Sequence, residues 1–186
     1  TLNNVKIVGE NNNSYKWAGI TCEGDNTIIL EGDNTVKGFF ANYPGIYIAE
    51  GHTLTIDGTG TLDASSNGYG AGIGGGYIIS CGNIIINGGT ITATGGDYAG
   101  GIGSGWKSSC GNITISGGTV TATGGENGAG IGSGFYESTC SDITITAEVE
   151  EVTATKGNAA PNSIGAGLLS TCGTVNIEEG ANVIQN

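Results

Sequence analysis

Arginine and methionine are absent from the 186-residue chain, histidine occurs once, proline twice and lysine five times. Without arginine there is no bidentate clamp for a phosphate or a carboxylate. The single His52 cannot build a histidine metal site by itself, and it sits beside no obvious nucleophile. The formal net charge of −12 argues against a nucleic-acid partner, whose phosphates call for basic surface. No apolar run is long enough to span a bilayer, so membrane insertion is not expected. No targeting segment is visible, and a chain opening at Thr1 is expected to be a mature or excised segment. Near-absence of proline, with glycines off a three-residue period, excludes collagen.

What is abundant is glycine, with 38 residues, and between the glycines Ile, Val and Leu recur at regular spacing. That regularity excludes disorder and points to internal repeats. Residues 82–103 read GNIIINGGTITATGGDYAGGIG, and residues 111–132 read GNITISGGTVTATGGENGAGIG, 29 positions later. Looser copies start at Thr27, Thr53, Asp142 and Thr174.

Each copy holds three short apolar pieces. The first is an alternating pair: Ile28/Leu30, Leu54/Ile56, Ile84/Ile86, Ile113/Ile115, Ile143/Ile145 and Val175/Ile177. The second centres on Val36, Leu62, Ile91, Val120, Val152 and Val183, the third on Ile20, Ile46, Ile73, Ile102, Ile131 and Ile164. Period-two alternation over so few residues is the mark of a half-buried strand, and no 3.6-residue pattern competes with it. One such repeat cannot bury its own apolar face and must stack on its neighbours. The expected fold is all-β: a parallel β-solenoid of about six three-strand coils, right-handed by the general rule for parallel crossovers. At ~4.8 Å per coil the stack is roughly 30 Å long. The whole chain, 1–186, reads as one solenoid domain, with irregular coils over 1–44 and regular repeats over 45–186.

The repeat pattern over residues 45–177 resembles the glycine-rich β-helix repeats of secreted and cell-surface proteins from anaerobic, often gut-dwelling, bacteria; residues 1–44 resemble it loosely. The resemblance implies an extracellular or cell-surface module for adhesion or glycan binding. It brings no catalytic residues and no cofactor.

In a solenoid, equivalent residues form columns along the axis. Tyr77, Trp106 and Phe135 share one column with Leu168, and Tyr136 follows Phe135. An exposed aromatic row is a platform for sugar rings; a covered one is a packing ladder. Outward threonines form a second column on the second strand: Thr90, Thr92 and Thr94, then Thr119, Thr121 and Thr123, then Thr153 and Thr155, interrupted by Asp63 and Glu151. Such arrays occur on ice-binding solenoids, and β-propensity alone also produces them. Cys81, Cys110, Cys140 and Cys172 form a third column, open to disulfides (Cys81–Cys110 and Cys140–Cys172) or to buried free thiols, while Cys22 lies outside it. Asn83, Asn112 and Asp142 form a fourth, suited to hydrogen bonding along the axis. The corner acids Asp97 and Glu126 lack calcium-loop spacing, and no zinc spacing accompanies the cysteines, so no metal is expected.

A glycosidase needs two carboxylates at a set separation. Asp57 and Asp63 are the nearest pair on adjacent strands, without a supporting constellation, so an enzyme is not expected. The function expected is a non-catalytic glycan- or host-surface-binding module. Structural or end-to-end self-assembling solenoids, and ice binding through the threonines, are the alternatives.

Overall fold

A computed structural model describes residues 1–186. Its strands form parallel sheets that run the length of a β-solenoid. The first sheet holds seven strands: Leu2–Asn3, Asn26–Glu31, Thr53–Gly58, Asn83–Ile86, Ile113–Ile115, Ile143–Ile145 and Val175–Ile177. The second holds Lys6–Val8, Asp33–Lys37, Thr61–Ser65, Thr90–Thr94, Thr119–Thr123, Glu151–Thr155 and Val183–Gln185. The third holds six: Ile20–Cys22, Ile46–Ile48, Ile73–Gly74, Ile102–Gly103, Ile131–Gly132 and Ile164–Gly165. Six complete coils result, with two strands of a seventh. A fourth, short sheet joins Ser109–Cys110, Thr139–Cys140 and Thr171–Cys172 in the later coils. The chain forms no helix, so none is long and apolar enough to cross a membrane.

The core is the set of inward columns. Leu54, Ile84, Ile113 and Ile143 pair in register, as do Ile56, Ile86, Ile115 and Ile145, and all are fully buried. Leu62, Ile91, Val120 and Val152 line the second sheet, followed two residues on by Ala64, Ala93, Ala122 and Ala154. Ile46, Ile73, Ile102 and Ile131 close the third side. These residues belong to one continuous apolar cluster, which is why no single coil is stable alone.

Glycine is obligatory where the third sheet turns. Gly103 has φ 137°, and a Cβ there would overlap the carbonyl oxygen of Gly132 one coil on. Gly74 and Gly132 stand in the same relation to the next coil.

The N-terminal register corrects the sequence reading. Ile28 faces Ile56 and Leu30 faces Gly58, and on the second sheet Val36 faces Ala64, so both strands are slid by two residues from the expected alignment. A slide of two preserves which face points inward, so the core tolerates it. The slide brings Asn34 into the inward position opposite Leu62, where it is buried. Its amide donates to the carbonyls of Glu31 and Thr61 at 3.0 Å each, and its Oδ1 accepts from the N–H of Val5 at 3.0 Å. The asparagine thereby ties three successive coils together, with the polar group satisfied as burial requires.

Candidate ligand-binding face

From the third coil onward, extra residues follow the third sheet and form a corner: residues 75–80, 104–109, 133–138 and 166–171. Buried serines hold it. Ser138 Oγ donates to the carbonyls of Gly105 and Phe135 at 2.8 Å, and Ser108 Oγ accepts from the N–H of Gly105 at 2.9 Å. Ser104 Oγ and Ser133 Oγ accept from the N–H groups of Gly134 and Gly167 at 3.1 and 3.0 Å. The corner also leans on its neighbour between the second and third sheets. There the N–H groups of Tyr77, Trp106, Phe135 and Leu168 donate to the carbonyls of Asn42, Tyr69, Tyr98 and Asn127.

This contact between corners brings in two rings beyond the expected column. Tyr69 and Tyr98 stack at 5.1 Å between centroids and 10° between planes. Trp106 stacks on both, at 5.2 and 5.6 Å, and touches Tyr77 at 5.1 Å and Phe135 at 6.3 Å. Phe135 continues to Tyr98 at 5.7 Å and to Tyr136 at 5.9 Å. Tyr77, Trp106 and Phe135 are half-buried, and the indole Nε1 of Trp106 is buried without a partner. The expected column therefore exists as a ladder whose ring faces largely cover one another. At one end of the ladder Tyr136 is 37% exposed; at the other stands Tyr77, half-buried like Trp106 and Phe135. The repeat of tyrosine at 69 and 98, again 29 residues apart, and the recurring corner serines were the sequence signals for the parts that the column reading missed.

At the Tyr77 end lies a groove of about 680 Å³. Phe40, Tyr43, Tyr77, Ile78 and Ile79 give it an apolar lining, and Asn13, Asn42 and Lys16 add two amides and an ammonium. A second trough of about 330 Å³, without apolar lining, runs along the first corner between Asp57, Asn87 and Glu150. Asp57 Oδ1 accepts from the N–H of Gly58 at 2.7 Å. Asp63 does not share this trough: it is exposed on the second sheet, in register with Thr35 and Thr92. The two acids of the sequence-level pair thus stand on different faces. No three His, Cys, Asp or Glu side chains converge in the geometry of a metal site.

The threonine array lies on the outer face of the second sheet. Thr90 and Thr92 are exposed; Thr94, Thr119, Thr121, Thr123, Thr153 and Thr155 are half-buried. Thr92, Thr121 and Thr153 are in register, as are Thr94, Thr123 and Thr155, while Glu151 takes the place beside Thr119. Thr119 Oγ1 donates to Glu150 at 3.0 Å and Thr153 Oγ1 to Glu151 at 3.4 Å, so carboxylates occupy part of the array.

The cysteine column is a ladder of free thiols. Cys110, Cys140 and Cys172 are in register, Cys81 bridges to Cys110, and no disulfide is present. Cys172 is held above the usual thiol range by the neighbouring Cys140 thiol and by burial. Cys140 is raised by Cys110, with an opposing pull from Cys172, and further by burial. For Cys110 the Cys140 thiol pulls downward, but Cys81 and burial outweigh it. Such thiols are inert as nucleophiles. The polar column works along the axis as expected: Asn83 Oδ1 accepts from the N–H of Asn112 at 2.8 Å, Asn112 Oδ1 from Asp142 at 3.1 Å, and Asp142 Oδ1 from Thr174 at 2.7 Å.

Residues 54–77, 84–106 and 113–135 each match the family model of the beta helix repeat. Searches of curated proteins and of solved structures each find no significant match.

Proposed function

We propose that this chain, a β-helix repeat protein, is a non-catalytic extracellular module that binds glycans in adhesion at a bacterial surface. The observation that carries the reading is the groove at the Tyr77 end of the aromatic ladder. Its ring and aliphatic lining suits the C–H faces of a sugar, and its amides and ammonium suit the hydroxyls. The ladder supports the site mechanically: Tyr77 is held by Tyr69 and Trp106, so little ordering is left to occur on binding. Sugar contact is assigned to Tyr77, the one ring of the ladder that lines the groove. The separation of Asp57 from Asp63 supports the non-catalytic side of the reading.

A glycan array identifies the ligand, and calorimetry then compares the parent with Asn42→Ala and Lys16→Ala. Both variants leave the ladder intact and are expected to weaken binding about tenfold, the loss of one good polar contact. Unchanged affinity in both would remove the groove from the reading.

One second reading has an observation of its own. The two in-register threonine rows, each three coils long, are a regular hydroxyl–methyl array of the kind that orders water. Thermal hysteresis lost in Thr121→Lys would establish it, and its absence in the parent would dismiss it.

A further inference from the structure

The residue that follows each member of the corner column, Tyr77, Trp106, Phe135 and Leu168, stands in the left-handed region: Ile78 at φ 55°, Lys107 at 51°, Tyr136 at 49° and Leu169 at 54°. Bulky and β-branched residues rarely adopt this conformation, and glycine is its default occupant. The chain has 38 glycines and places ten of them at positive φ elsewhere, yet none at this column. Of the other positive-φ residues that are not glycine, Asn4 and Asn11 are of the tolerant type, and Glu137 extends the corner by one.

Burial does not account for the choice of side chains. Ile78 is 60% exposed, Leu169 65%, and Lys107 and Tyr136 are exposed as well. Strain held at exposed positions, repeated coil after coil, points to a use outside the fold. The row is also regular. Ile78 N–H donates to the Trp106 carbonyl at 2.9 Å, Lys107 N–H to Phe135 at 3.3 Å and Tyr136 N–H to Leu168 at 3.0 Å. The four side chains therefore follow one another at the coil spacing of ~4.8 Å, about 14 Å from first to last. Lys107 Nζ sits 4.8 Å over the Tyr136 ring and 3.4 Å from Glu137 Oε2, which steadies the ring and neutralises the ammonium.

We propose that Ile78, Lys107, Tyr136 and Leu169 form an extended subsite continuous with the groove, and that the ligand is a neutral linear glycan lying along the solenoid axis. The inference rests on the glycan reading of the groove, with which it shares Ile78. Three features select this occupant. The exposed Ile, Tyr and Leu side chains offer apolar contacts to successive sugar C–H faces. The coil spacing is close to the length of one sugar unit in an extended chain, so contacts repeat in step. The charge of −12, with Lys107 already paired to Glu137, disfavours a polyanion.

The test uses the intact chain and calorimetry with di- and hexasaccharides of β-1,4-linked glucose, xylose and mannose, with oligogalacturonate as the anionic control. A neutral hexasaccharide is expected to bind at least tenfold more tightly than its disaccharide. Tyr136→Gly and Leu169→Gly should weaken the hexasaccharide about fivefold and leave the disaccharide unchanged, and Leu169→Gly, which loses no ring contact, should melt at or above the parent's temperature, because glycine relieves the strain. Leu169→Asn, which also accepts the left-handed region, should behave alike. A drop in melting temperature for both Leu169 variants would make the row structural and overturn the inference. A hexasaccharide no tighter than the disaccharide would overturn the row and leave the groove standing; no binding of any neutral sugar would overturn both. Preference for oligogalacturonate would overturn the neutral class. Unchanged affinity with loss of self-association would assign the row to contact between copies instead.

Discussion

Replacing Trp106 by alanine separates the ladder as a support from the ladder as a platform. The indole touches Tyr69, Tyr77, Tyr98 and Phe135, at 5.2, 5.1, 5.6 and 6.3 Å between centroids. Truncating a fully buried Trp costs about 3–5 kcal/mol. Trp106 is half-buried, which lowers the transfer part, but four ring contacts of roughly 0.5–1.5 kcal/mol each are lost with it and do not simply add. The expected destabilisation is about 2–4 kcal/mol. For a chain of this size that corresponds to roughly 5–15 °C in Tm. Circular dichroism melts of the parent, Trp106→Ala and Trp106→Phe measure it, and the phenylalanine variant should recover most of the loss. An alanine variant that melts within about a degree of the parent would show that the rings bear no structural load. The corner would then be a free platform after all.

Three further outcomes follow from the coil geometry. Gly103→Ala should destabilise by more than about 3 kcal/mol, because a Cβ overlaps the Gly132 oxygen at a φ that already disfavours side chains. Gly51→Ala has open space around it and should cost only about 1 kcal/mol, so equal effects in urea melts would refute the close approach. Ile115→Asp places a carboxylate in a fully buried column between Ile86 and Ile145 and should leave no cooperative transition; a parental melt would mean the inward assignment is wrong. Alkaline pH should destabilise the fold. The buried Cys110 and Cys140 thiols are raised in the folded state, so their contribution is complete below the ordinary thiol value of about 8.5 and is lost as pH rises above it. Each contributes up to about 1.4 kcal/mol per pH unit, and a Cys110→Ala/Cys140→Ala variant should flatten the slope; an equally steep slope would exclude these thiols as its source.

The regular coils were legible because the recurring apolar pieces align each inward Ile and Val with its equivalent one coil on, whatever the length of the corner between them. Ile84, Ile113 and Ile143 need no further information to be placed. The N-terminal coils were less legible because a slide of two residues leaves the alternation unchanged, and only the hydrogen bonds of Asn34 distinguish one register from the other. At the site, Tyr77, Trp106 and Phe135 were visible as a column with Tyr136 beside it, but whether that column was exposed or covered was not. That depends on Tyr69 and Tyr98, which reach the same ladder from a different corner of the coil. The left-handed row was hidden for the opposite reason. Residue propensity argues against that conformation at Ile78 and Leu169, so only the backbone reveals it.

The most direct test of the account maps the ligand onto the chain residue by residue. Backbone amide shifts of the 18.4 kDa protein, followed while the hexasaccharide that binds best is added, report each coil separately. The account predicts that the shifting amides cluster at Asn42, Tyr43, Tyr77 and Ile78 and continue through Lys107, Tyr136 and Leu169, while Thr90–Thr94 and Thr119–Thr123 stay still. Shifts centred on the threonine face, or none at any concentration of sugar, would contradict it.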